Sequence, residues 1–295
     1  MKYKDFNFTE LTPSKNTKNI QNRKGKGFGY QILGFGAGQS GPADLFVVAT
    51  GGTITTDGDF KVHTFTSPGT FEVTDAGGDP GSNSLEFVMA AGGAGGGRAG
   101  HNNGGGGGGA GGLIENEPSP STGGFSVSAQ SYPISIGAGG SGATGSGASG
   151  PSGSNTTALG NTAGGGAGGG GGGQNNVQSA PLGSGGGGSS AGPHAGGSGG
   201  PQGNPGGASS GGGNQAGGGG GFSAAGSNGP SGPGGAGYTS SITGSSVVRA
   251  SGGQGSTNNP NAGANTGDGG SGGAKSLANG RNGGSGVVII RYKFQ

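Results

Sequence analysis

The chain has 295 residues, of which 89 are glycine, with 14 Lys or Arg against 12 Asp or Glu and no cysteine. Such a composition excludes a disulfide framework and a thiolate metal site. With only 15 prolines and no sustained Gly-X-Y register, it also excludes collagen.

Residues 1–44 differ from all that follows. The first 30 carry Lys2, Lys4, Lys15, Lys18, Arg23, Lys24 and Lys26 against Asp5 and Glu10, with Tyr3, Phe6, Phe8, Phe28 and Tyr30 among them. No helical or strand period runs long enough there to fold alone. Two readings stand, a disordered tail and a docking arm that orders against a partner. On the docking reading the attachment candidates are Tyr3, Phe6, Phe8, Arg23, Lys24, Phe28 and Tyr30. The basic residues are too dispersed to suggest a nucleic-acid arm. The N-terminus has no apolar core of a signal peptide, so synthesis in a cytoplasm is expected.

Residues 45–91 read as a small antiparallel β-meander. Leu45–Val48 is an apolar strand, and Thr56-Asp57-Gly58-Asp59 suits a two-residue hairpin of the Asp-Gly type. Phe60–Thr66 alternates, and Ser67-Pro68-Gly69-Thr70 suits a type II turn. If Ser67 faces Thr70, Phe60, Val62 and Thr64 share a face with Phe71 and Val73. Lys61, His63 and Phe65 then share the other face with Glu72. Leu85–Met89 is a further strand.

Residues 92–285 alternate glycine tracts with Ser/Asn/Pro-rich loops, and carry short strand signals at Phe125–Ala129, Tyr132–Ile136 and Ser246–Arg249. The tracts include 104–112, 164–173, 183–188, 211–221 and 269–273. Between residues 150 and 240 the large apolar side chains are Leu159, Val177, Leu182, Phe222 and Tyr238. At about 1.5–3 kcal/mol each, they cannot offset about 1–2 kcal/mol of backbone entropy per residue. Either the region is disordered or backbone hydrogen bonds hold it. Bare glycine adopts an extended helix of three residues per turn whose amides and carbonyls point outward. Such helices pack side by side and bond to one another. Residues 286–295 close the chain with Val-Val-Ile-Ile-Arg-Tyr, a strand expected to pair with the base. The expected fold is therefore mainly β and irregular: a meander base clamping a bundle of polyglycine II helices, with an extended N-terminal arm.

Chemistry is sparse. From Pro118 to Val248 there is no Asp, Glu, Lys or Arg. Gly270–Ser276 resembles a phosphate loop but has Ala274 where glycine is required before Lys275. Asp268 stands alone, without the recurring aspartates of calcium-binding repeats. His63, His101 and His194 are read as loop or surface residues, Asp57 with Asp59 as a turn, and Glu115 with Glu117 as a solvated loop. No enzyme, no cofactor, no metal site and no nucleic-acid partner are expected.

Two segments carry a resemblance: Val47–Phe71, which holds Ala-Thr-Gly-Gly-Thr-Ile-Thr-Thr-Asp-Gly, and Phe87–Gly97. The ending Gly283–Tyr292 fits the same pattern. From about Leu45 to Gln295 the chain resembles the glycine-rich virion proteins of marine tailed phages, and its middle looks like the glycine-helix sandwich of phage tail-tip adhesins. That resemblance implies a virion structural protein of the tail-fibre or adhesin type. It would sit on the virion surface, joined to other virion proteins through residues 1–44, and be a homo-oligomer, a trimer. Loops at one end of the bundle would bind a host receptor, a glycan or an outer-membrane protein. The receptor-binding candidates are Asn175, Asn176, His194, Gln202, Asn204, Asn258 and Asn259, which lie between tracts where polar side chains project to solvent. Alternatives are a capsid decoration or head-fibre protein docked by its arm, and an extracellular glycine-rich filament.

Overall fold

The computed structural model describes residues 46–78, 83–117, 124–174 and 176–295. These belong to one compact unit that begins at Asp44. The arm candidates Tyr3, Phe6, Phe8, Arg23, Lys24, Phe28 and Tyr30 lie outside the described residues, as does Asn175. The described chain is strand and irregular, without helices, and its strands form several small antiparallel sheets.

The base is a two-layer sandwich. One layer holds β1 (Val48–Thr50), β4 (Gly69–Asp75) and β8 (Ser131–Ile134), with β4 central. The other holds β2 (Thr53–Asp57), β3 (Phe60–Phe65), β13 (Val287–Lys293), β5 (Ser84–Ala90) and β6 (Leu113–Glu115) in that order. The two-residue β7 (Phe125–Ser126) pairs with β5. The closing strand thus lies between β3 and β5, antiparallel to both, as its apolar sequence suggests.

Why β13 is apolar at nearly every position follows from its place. Val288, Ile290 and Tyr292 pack with Phe71, Val73 and Phe87 between the two sheets. Val287 and Ile289 point the other way, with Val62, Val88, Leu113 and Ile242. Successive side chains of a strand face opposite sides, so a strand covered on both sides needs both parities apolar. The second face is covered by the hairpin of β11 (Tyr238–Ser240) and β12 (Val247–Arg249) and by the glycine region.

Three expectations for the base are corrected. Asp57 pairs with Phe60, so the loop is Gly58-Asp59, one residue later than expected. Gly58 takes φ 55°, which fits a turn that needs glycine first. Second, β3 and β4 do not pair: the Pro68-Gly69 turn carries the chain from one sheet to the other. Consequently Phe65 and His63, not Phe60 and Val62, meet Phe71. Third, His63 is fully buried rather than in a loop or on the surface.

Above the base, residues 91–99 show how the glycine region is held. Ala91, Ala94 and Gly97 donate their amides to Gly112, Gly109 and Gly106; Gly92, Gly95 and Arg98 donate to Ser154, Pro151 and Ala148. Gly93, Gly96 and Ala99 donate to Gly284, Arg281 and Ala278. Amides three residues apart share a neighbouring segment, which is the period of a polyglycine II helix. Its carbonyls reach three further segments: Gly92, Gly95 and Arg98 accept from Gly166, Gly169 and Gly172, Gly93 and Gly96 from Gly140 and Ala143, and Ala94 and Gly97 from Gly270 and Gly273. Residues 104–112 repeat the pattern with their own ring of neighbours. A backbone that bonds outward in six directions builds a hexagonal bundle, and a side chain at most positions would occupy a neighbour's carbonyl.

Candidate functional site

The bundle has two ends of different character. The chain leaves β5 at Ala90, rises along 91–99, turns at 100–103 and descends along 104–112 into β6. The turn 100–103 therefore marks the end away from the sheets. Other turns meet it there. Gly104 donates to Gly213 O, Leu277 to Gly100 O, Gly212 to Ser190 O and Ser231 to Asn214 O, while Lys275 donates its amide to Asn214 Oδ1 at 2.9 Å. Ser231, Ser276 and Leu277 adopt left-handed φ of 42°, 80° and 65°. Non-glycine residues held in that region mark tightly determined loops.

The structure separates the receptor-binding candidates. Asn176, His194, Asn258 and Asn259 lie at or beside distal turns. Asn176 Oδ1 accepts from the Gly171 amide at 2.9 Å, the His194 amide donates to Ser209 Oγ at 2.9 Å, and Asn258 and Asn259 are exposed. Gln202 and Asn204 instead lie toward the sheets, where Leu113 donates its amide to Gln202 O. Neither projects freely to solvent. Gln202 Oε1 accepts from the Gly164 amide at 2.8 Å and its Nε2 donates to Thr162 O at 2.9 Å. Asn204 Nδ2 donates to the Gly221 and Phe222 carbonyls at 3.1 and 2.6 Å. Both amides complete the lattice where it meets the base.

On the flank of the bundle, a groove of about 420 Å3 runs between residues 233–234, 251–254, 259–262 and 268–271. Its walls combine the polar groups of Ser251, Gln254, Asn259 and Asp268 with the rings of Pro233 and Pro260. Asn259 Nδ2 donates to Gln254 Oε1 at 3.1 Å, and Arg281 Nε donates to Asn259 O at 2.8 Å, which pins the loop. Asp268 Oδ1 accepts from the Ser251 amide at 2.8 Å. Burial raises the Asp268 pKa, opposed by its hydrogen bonds and by Arg249.

Behind that wall lies a charge cluster that the sequence does not reveal. Arg249 is 8 % exposed, and its Nε and Nη1 have no hydrogen-bond partner. Burial lowers its pKa, while Glu117 and Asp268 raise it. Glu117 is buried, which corrects its reading as part of a solvated loop. Tyr238, on the strand paired with Arg249, has its pKa raised by burial and by Glu115 and Glu117. These residues come from β6 and the two residues after it, from β11 and β12, and from the segment after Gly267, so only folding assembles them. Among the described residues no group of three or more His, Cys, Asp or Glu is placed to hold a metal. What the flank and the distal end offer is hydrogen bonding and scattered charge on a rigid support: amides and hydroxyls, the Asp268 carboxylate, Arg281 beside the groove, and His101 and Lys275 exposed at the distal turns.

A β-sandwich carrying a hydrogen-bonded glycine lattice defines a class of protein in which the backbone supplies the architecture and the turns carry the side-chain variety. The chain belongs to the glycine-rich domain family, whose model matches residues 64–293. No curated protein matches it.

Proposed function

We propose that this chain is a phage virion structural protein of the tail-fibre or adhesin type, which binds a host surface through loops of its glycine-rich bundle. One observation carries the reading: the turns 100–103, 211–214 and 275–277 are hydrogen-bonded to one another at the end of the bundle opposite the sheets. A lattice of this kind takes many residues, and on this reading its use is to hold those loops rigidly. Function placed on loops over a rigid scaffold is the common arrangement of recognition proteins. Residues 1–44 join the particle, in the proposal, and the assembled protein is a trimer on the virion surface.

Two measurements test this. Gold-labelled antibody against the chain should decorate the tail of particles, and purified full-length protein should bind susceptible cells and reduce particle adsorption. A variant lacking residues 1–44 should bind cells yet fail to join particles. Gold on the head, with no binding to cells, would replace this reading with that of a capsid decoration protein. Absence of label from particles would remove both.

A further inference from the structure

The groove beside Asp268 is a built site, and we propose that it binds one or two units of an uncharged, hydroxyl-rich saccharide. This rests on the recognition reading above and names the ligand class for one face of the bundle.

Four features carry the assignment. The volume, about 420 Å3, falls in the range of small-ligand sites, roughly 300–1,000 Å3. The donors and acceptors suit hydroxyls: Asn259 Oδ1, the Ser251 hydroxyl and the Asp268 carboxylate line the groove, beside Gln254, whose Nε2 donates to Ser231 O at 3.2 Å and whose Oε1 accepts from Asn259 Nδ2. A side-chain amide can span two adjacent hydroxyls of a sugar ring, donating to one and accepting from the other, whereas a carboxylate accepts from both. Pro233, Pro260 and Ala262 supply apolar surface for the C–H faces of that ring.

Charge selects the uncharged class. Asp268 is opposed electrostatically by Arg249 behind it, so the wall does not demand a cation. Asp268 lines the groove and Arg249 does not, so an anionic sugar meets the like charge first. The site is also rigid. Ser251 and Asp268 are tied by the 2.8 Å bond, Gly269 donates to Ser251 O, and Arg281 holds the Asn259 backbone. Preorganisation lowers the cost of binding, but the lining includes no aromatic ring. Affinity per site is therefore expected to be weak, with a Kd on the order of 1 mM, and useful through several copies acting together.

The test is saturation-transfer NMR on the full-length protein with three probes: maltotriose, chitotriose and the anionic 3′-sialyllactose. At least one of the neutral trisaccharides should show transfer and the sialylated one should not. Asn259→Ala and Gln254→Ala should each weaken binding about fivefold or more, about 1 kcal/mol at this scale, with an unchanged thermal midpoint for Asn259→Ala, whose side-chain bond is exposed. Asp268→Asn keeps an acceptor for Ser251 and should weaken binding while admitting the sialylated probe. No transfer from either neutral sugar, or transfer that survives both Asn259→Ala and Gln254→Ala, overturns the proposal. Cell binding by wild-type protein that persists in both variants would overturn the groove and leave the distal loops as the recognition surface. Sugar binding without any cell binding would keep the groove and overturn the adhesin reading.

Discussion

His63 and Tyr292, 229 residues apart in sequence, meet inside the sandwich, with His63 Nε2 3.0 Å from the Tyr292 hydroxyl. His63 Nδ1 lies 2.8 Å from the Gly51 carbonyl. That geometry fits a neutral imidazole: Nδ1–H donates to Gly51, and Nε2 accepts from Tyr292. The ring also meets Phe71 edge-on at 5.1 Å. One buried side chain thus joins β3, the turn before β2, the closing strand and the facing sheet.

Burial lowers the His63 pKa below 6.5, the Gly51 bond opposes that shift, and Lys61 adds to it. Below pH 6.5 the unfolded chain takes up a proton that the folded chain resists. Stability is therefore full above that pH and falls as the pH drops toward and through the lowered folded value. Thermal midpoints at pH 7.5 and 5.5 should differ more in the wild type than in His63→Gln. Equal differences would show that the imidazole does not govern this window.

The Glu86–Arg291 ion pair links β5 to the closing strand with Glu86 Oε2 accepting from Arg291 Nε at 2.7 Å, their side chains 8 % and 15 % exposed. Arg291 also lies over the Phe60 ring at 4.8 Å. Removing one partner from a buried pair costs about 3–5 kcal/mol because the other charge stays behind. Arg291→Leu should therefore destabilise by that order in urea unfolding. The double variant Glu86→Leu with Arg291→Leu should recover part of the loss. No recovery would mean that the pair's worth lies elsewhere, in packing on Phe60.

How much of this was legible in the sequence depends on the range of the interactions. The Val287–Ile290 run announced a strand, and an apolar strand at each end of the domain suggested that the closing one pairs with the base; its burial on both faces came from the structure. The route from β3 to β4 did not, because Pro68-Gly69 signals a turn without saying whether the next strand pairs or crosses sheets. Short elements such as β9 (Thr156–Ala158) and β10 (Asn161–Ala163) carry too little apolar pattern to be seen. Composition narrowed the glycine region to a hydrogen-bonded bundle or disorder, and the interstrand backbone bonds decide for the bundle. Which residues share an end was not. Gln202 and Asn258 look alike in sequence, yet opposite ends of the lattice hold them.

The lattice makes a sharp prediction about single methyl groups. A Cβ at Gly168 would land on the Gly150 carbonyl, far inside van der Waals contact, whereas at Gly145 it would meet Ala148 Cβ at an ordinary 3.5 Å. Gly168→Ala should destabilise by about 1–3 kcal/mol, the range of overpacking, and Gly168→Val by more. Gly145→Ala should be close to neutral. Equal thermal midpoints for Gly168→Ala and the wild type would show that the tract is not packed as described.

Asn204 and Asn258 separate architecture from surface. The Asn204 side chain is half-buried and donates to the Gly221 and Phe222 carbonyls, where the lattice passes into the cover over the second face of β13. Alanine at 204 leaves both carbonyls without that donor, and an unsatisfied buried acceptor costs about 1–3 kcal/mol. Asn258 is exposed at a distal turn, so alanine there should shift stability by less than about 0.5 kcal/mol. Urea unfolding of the two variants, run beside a cell-binding assay, should thus show Asn204→Ala unstable at the sheet end and Asn258→Ala stable. Were Asn204→Ala as stable as Asn258→Ala, the side-chain bonds at 204 would contribute nothing net, and the residue would return to the pool of recognition candidates.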